Sequence, residues 1–281
     1  MQYLLNASLI VYSQLRDELR KIIENREIAD QKYLRFSGSQ LYFYSDRCQS
    51  LNVLLQEGKL WDCDIIMRSA LECATRLLFV SIAPQDERDR RIEEYSVSLN
   101  EIEDIQRSER VKPAVDAASD EDEGSRMLLG GVVLDSAREA QLRAKWPKTA
   151  RNVLRQKWSF SEIARVLANF QDDGLDLRKY KSFLHGYGIS SHLIHADQTA
   201  MDLLRDRMSR DPEERRLLER AHFARLATEQ TLLLFLCWRA MAYAIGIESK
   251  NDDVVRSLLE LIAASDHHHE EFSQSQAHRY R

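Results

Sequence analysis

Residues 61–82 read WDCDIIMRSALECATRLLFVSI, and the periodicity of this stretch decides the fold. Apolar residues cover well over half of its helical wheel. Asp64, Arg68, Glu72 and Arg76 fall at successive i+4 steps, so they form one narrow stripe of alternating charge. A helix that is apolar on most sides belongs inside a bundle. On a surface helix such a ladder would be worth only ~0.2–0.5 kcal/mol per pair. On a central helix its charges must find partners on the ladder or across the core. A structural polar core and a functional site are both open readings.

The same 3.6-residue period extends outward. Leu4, Leu5, Leu9, Ile10, Tyr12, Leu15, Leu19 and Ile22–Ile23 predict a first helix over about 1–35, which Ser37-Gly38-Ser39 breaks or bends. A second follows over about 39–56, with Gly58 as its C′ glycine. The 61–82 helix stops before Pro84, and a more charged one covers about 85–110. From 111 to 131 the period fails: Pro113, the acidic run around 120–123 and Gly130-Gly131 predict a protruding loop. Short helices are expected over about 134–145, after Pro147 and after Ser159, which stands in capping-box spacing with Glu162. The 180–207 region is followed by a long helix from Pro212 to about Ile245 and a last one over about 252–264. The tail from Ser265 reads as polar and disordered. With only 9 Gly and 4 Pro in 281 residues and no strand-like alternation, the expected class is all-α. The expected architecture is a single bundle of roughly eight helices spanning 1–264.

An apolar fraction of 44% and a charged fraction of 30% are those of a soluble globular protein. The net charge of −5 supplies no global basic field, so any nucleic-acid contact needs a local patch. Cys48, Cys63, Cys73 and Cys237 are scattered without zinc spacing, which points to a reducing compartment and a cytoplasmic location. The N-terminus has no signal-peptide pattern. The run Thr231–Trp238 is interrupted by Arg239 and falls short of the ~20 apolar residues a membrane span requires.

A second stretch concentrates chemistry: Tyr187-Gly188-Ile189-Ser190-Ser191-His192-Leu193-Ile194-His195-Ala196-Asp197. On a helix, Tyr187, Ser191 and His195 share one stripe, with His192 beside it. Such groups are costly when buried unpaired, so they are natural partners for the Arg68–Glu72 ladder. His192-x-x-His195 offers only two metal ligands on one face, and Asp197 points elsewhere, so no metal and no cofactor are assigned.

Met67–Glu72 (MRSALE), Trp158 with SEIARVLAN over 161–169, Tyr180, Tyr187 and SSHLIHAD over 190–197 together resemble an uncharacterised family of all-helical prokaryotic proteins. That family pairs an Arg-x-x-x-Glu helix with a later Tyr…Ser…His helix. More distantly the pattern is similar to the HEPN superfamily, whose members include dimeric, metal-independent RNases of toxin and antiviral defence systems with an Arg-x(4–6)-His motif. Arg178–His185 has that spacing, and Arg215 and Arg216 stand in range of His222. In a chain this rich in Arg, with 8 His, a few such pairs arise by chance. His222 reads as a satisfied, partly buried histidine. The resemblance implies RNA cleavage, with His195 or His185 as general acid/base, Arg68 or Arg178 steadying the phosphate, and Glu72 beside them. Tyr187, Ser191, His192 and Asp197 would line the binding site. The partner implied is RNA. The alternative is a non-catalytic module that binds a protein, a regulatory ligand or a second copy of the chain. A basic groove, to which Arg205, Arg207 and Arg210 would contribute, favours the enzyme; an exposed apolar helix face favours the module.

Overall fold

The computed structural model describes residues 1–117 and 123–277. In chain order its helices are α1 (Gln2–Ile23), α2 (Gln31–Gln56), α3 (Leu60–Ser81), α4 (Gln85–Glu93), α5 (Leu99–Ala117), α6 (Glu123–Gly130), α7 (Ser136–Lys145), α8 (Lys148–Lys157), α9 (Phe160–Leu167), α10 (Phe183–His195), α11 (Gln198–Ser209), α12 (Pro212–Ala244) and α13 (Asp252–Ser275). A π-helical turn, Glu94–Ser98, joins α4 to α5 as one continuous rod, and a 3-10 turn, Arg178–Ser182, leads into α10. A two-residue hairpin of β1 (Gln171–Asp172) against β2 (Leu175–Asp176) is the only sheet among the described residues. The all-α class therefore stands.

The count of roughly eight helices does not stand: there are twelve among the described residues, taking the α4–α5 rod as one. Local capping divides stretches that hydrophobic period alone runs together. Within 180–207, Ala196 turns left-handed at φ 47°, and the Asp197 carboxylate accepts from Ala200 N at 3.2 Å, ending α10 and starting α11. The first break likewise falls at 24–30, where Asp30 accepts from Tyr33 N at 3.0 Å, and not at Ser37-Gly38-Ser39. α2 runs unbroken through those residues, because burial of Tyr33, Leu34, Phe36 and Leu41 outweighs the ~1 kcal/mol that one helical glycine costs.

The loop expected over 111–131 is largely helical: α5 carries Pro113 inside it and reaches Ala117, and α6 begins at Glu123. Most of the acidic run lies outside the described residues. The tail from Ser265 continues α13 to Ser275, with Ser265 and Gln276 buried.

The residues gather into two compact units, 1–84 with 164–281, and 85–163. In the smaller unit α5 packs on α6, α7 and α8 around Ile102, Ile105 and Leu142. Both indoles there are held by carboxylates, Trp158 Nε1 by Glu94 at 3.0 Å and Trp146 Nε1 by Glu101 at 2.8 Å. In the larger unit α3 packs on α2, α10 and α12, and α12 packs on α1 and α13. The apolar run of α12 is core: Leu233, Leu234, Cys237, Trp238 and Met241 are buried. Among the described residues no helix is long and apolar enough to cross a membrane.

Candidate functional site

The charged stripe of α3 meets two different partners. Glu72 is the hinge of the ladder: its Oε1 accepts from Arg68 Nε at 3.3 Å and its Oε2 from Arg76 Nη2 at 3.1 Å. Tyr187 on α10 joins them. Its hydroxyl accepts from Arg68 Nη2 at 3.0 Å and donates to Glu72 Oε1 at 3.2 Å, while the Arg68 guanidinium stacks 4.4 Å from its ring centroid. Burial, with Glu72 beside it, raises the Tyr187 hydroxyl pKa. The stripe and the second stretch thus meet, but through Tyr187. Ser191 is half-buried, and His195 is exposed at the end of α10. His192 Nδ1 pairs with Asp197 Oδ2 at 2.7 Å, and that hydrogen bond lowers the pKa of Asp197, which also caps α11. Arg178 turns back to Asp176, Nη2 to Oδ2 at 2.7 Å.

Asp64, the first rung, faces α12 instead and is 1% exposed. His222 Nε2 lies 2.6 Å from its Oδ2, and Arg225 Nη2 lies 2.5 Å from its Oδ1. Arg225 Nη1 donates to Glu229 Oε2 at 2.7 Å. His222, Arg225 and Glu229 follow each other at i, i+3 and i+7, so one face of α12 presents all three. Burial pushes the Asp64 carboxyl up, but the His222 hydrogen bond and the Arg225 charge outweigh it and hold Asp64 below the usual carboxylate range. Burial raises the Glu229 carboxyl, with Arg225 opposing. Because ionised Asp64 only accepts, His222 Nε2 must donate, which leaves the neutral ring's lone pair on Nδ1.

This cluster forms one wall of a cleft of about 330 Å³, open to solvent. Trp61, Ile189, Leu218 and Phe272 supply apolar walls, and His185 and His269 add imidazoles from α10 and α13. Burial lowers the His269 pKa. Trp61 meets the His222 ring edge-on at 5.2 Å between centroids. α10 can come this close because position 186 is glycine: a Cβ there would stand 3.3 Å from Arg225 Nη1. No group of three His, Cys, Asp or Glu among the described residues is placed to hold a metal ion.

Residues 36–215 match a family of unknown function, DUF5677. The chain belongs to that family. The DUF5677 match takes in Asp64, His185 and the Arg68–Tyr187 pair, whereas His222, Arg225, Glu229, His269 and Phe272 lie beyond it. No curated protein and no solved structure matches the chain.

Of the residues singled out from sequence, Arg68, Glu72 and Tyr187 come together, and His185 reaches the cleft. Asp64 had stood only as a rung of the ladder, and His222 as a partly buried histidine in HEPN-like range of Arg215 and Arg216. The face shared by His222, Arg225 and Glu229 lies on a helix that carries other charges, among them Glu219 and Arg220, so it did not stand out as the run around Tyr187 did.

Proposed function

We propose that this chain is a HEPN-like, metal-independent endoribonuclease working at the Asp64–His222 cleft. The observation that carries the reading is His222, oriented by a buried ionised Asp64, on the wall of a cleft that also receives His185. A carboxylate that fixes the tautomer of an imidazole is the arrangement general base catalysis requires. Arg215 is exposed two turns before His222 on the same face of α12; the spacing is HEPN-like but, in a chain this rich in Arg, carries no weight by itself. Arg216 is turned to Glu213.

In the reaction His222 takes the proton of a ribose 2′-hydroxyl, and the 2′-oxygen attacks the adjacent phosphorus. The P–O5′ bond breaks, and His185 delivers a proton to the leaving 5′-oxygen. The products are a 2′,3′-cyclic phosphate and a 5′-hydroxyl. Arg225, the arginine that lines the cleft beside His222, offsets the charge of the pentavalent phosphorus. Toxin or antiviral defence is the setting this chemistry fits. The test is incubation of the full chain with diverse RNAs in EDTA: cleavage that persists and ends in cyclic phosphate supports the reading, and intact RNA overturns it.

A second reading, a non-catalytic module for a protein partner, is favoured by exposed apolar side chains on α1 (Tyr3, Ile10) and α2 (Tyr42, Val53). Tyr42 and Val53 lie about three turns apart on one face. An inactive wild type with a cleft that is needed only for stability would favour that module.

A further inference from the structure

We infer that the cleft takes one unpaired nucleotide of RNA, its base against the apolar side chains and its ribose and phosphate at His222. This rests on the reading above and adds the form of substrate to it.

The cleft lining combines two chemistries. Trp61, Ile189, Leu203, Leu218 and Phe272 supply apolar side chains from α3, α10, α11, α12 and α13, and Trp61 meets the His222 ring of the Asp64 cluster edge-on at 5.2 Å. A base in this setting gains by stacking on the aromatic rings of Trp61 and Phe272. The volume, about 330 Å³, stands at the small end of ligand clefts, which run from about 300 to 1,000 Å³. It suits a single nucleotide and excludes a duplex.

The surroundings point the same way. Binding a duplex along its backbone needs a row of unpaired cations. The arginines of α11 that would supply it are paired: Arg205 with Asp202 at 2.8 Å, Arg207 with Glu219 at 2.6 Å, and Arg210 with Asp206 at 2.8 Å. α11 therefore supplies no such row, and a base enters the cleft only when it is free of its pair.

Trp61 reports occupancy, since of the four tryptophans it alone lines the cleft: Trp238 is buried elsewhere, and Trp146 and Trp158 belong to the smaller unit. The full chain is titrated with uridine 3′-monophosphate and adenosine 3′-monophosphate, with ribose 5-phosphate and inorganic phosphate as baseless probes. Saturable change in Trp61 emission with the nucleotides, at least tenfold weaker binding of the baseless probes, and loss of the signal in Trp61→Phe are expected. Phe272→Leu, which keeps the core apolar, should weaken nucleotide binding several-fold. Single-stranded RNA should be cleaved at least tenfold faster than the same sequence in a duplex. Equal binding of ribose 5-phosphate, or nucleotides that leave the emission unchanged, overturns the inference. The two proposals fail separately. Nucleotide binding without any RNA cleavage leaves the subsite and removes the nuclease. Cleavage at equal rates on single and double strands keeps the nuclease and removes the subsite.

Discussion

His222 Nε2 lies 2.6 Å from Asp64 Oδ2, joining α12 to α3 across 158 residues of sequence. Asp64 is 1% exposed, so its charge depends on His222 and Arg225 for the solvation that water no longer provides.

Removing one partner of this carboxylate should therefore separate chemistry from stability. Asp64→Ala opens a cavity and leaves Arg225 with Glu229 as a partner, at a cost of about 1–3 kcal/mol. His222→Gln keeps an amide N–H near the position of Nε2 and so in reach of Asp64; its melting midpoint should stay near wild type, while RNA cleavage falls by about a hundredfold or more. Thermal melts and cleavage rates on the two variants check this. Full activity in His222→Gln would remove His222 from the chemistry.

The two glycines of α10 should respond in opposite ways. At Gly188 nothing lies within 4 Å of an added Cβ, so Gly188→Ala should stabilise by about 0.5–1 kcal/mol through helix propensity alone. At Gly186 the Cβ meets Arg225 Nη1 at 3.3 Å and Glu229 Oε1 at 3.8 Å. Arg225 cannot retreat without loosening its bonds to Asp64 and Glu229. Gly186→Ala should forfeit the gain seen at Gly188 and reduce cleavage. Equal stabilisation at both positions would mean that α10 has room to shift.

The helical class was legible because the 3.6-residue period in 61–82 and 212–245 is set by burial, which side chains report directly. Boundaries were less so. Asp30, Asp135 and Asp197 cap helices by accepting from a backbone N–H three residues on, and an Asp in a charged chain carries no mark of that role. The meeting of Tyr187 with Arg68 and Glu72 followed from the cost of burying polar groups. The choice between His195 and His222 did not follow. His195 sits in a dense run of hydroxyls and imidazoles but ends exposed on α10, while His222 lies among the ordinary charges of α12 and acquires Asp64 only by tertiary packing.

Tyr187 should matter to stability more than His195. Tyr187→Phe keeps the ring under Arg68 but removes the hydroxyl bridging Arg68 and Glu72, at a cost of about 0.5–1.5 kcal/mol. His195→Ala, at an exposed helix end, should stay within about 0.5 kcal/mol of wild type and leave cleavage unchanged. A large loss of activity in His195→Ala would return the catalytic role to the end of α10.

The buried carboxylates should pull stability in opposite directions with pH. Burial raises Glu229, so the folded chain keeps its proton where the unfolded chain, at about pH 4.3, has released it. The folded state then binds more protons, and stability falls as pH rises from there through the folded value. Asp64 is lowered despite its burial, so its contribution is complete above about pH 3.9 and is lost as pH falls. Glu229→Gln removes the first titration while leaving an oxygen to accept from Arg225. Its melting midpoint should therefore gain on wild type steadily as pH is raised from about 4.3 towards neutrality. A difference that stays constant over that range would show that Glu229 titrates alike in the folded and unfolded chains. Asp64→Asn should do the reverse, losing most against wild type at neutral pH and converging with it in acid.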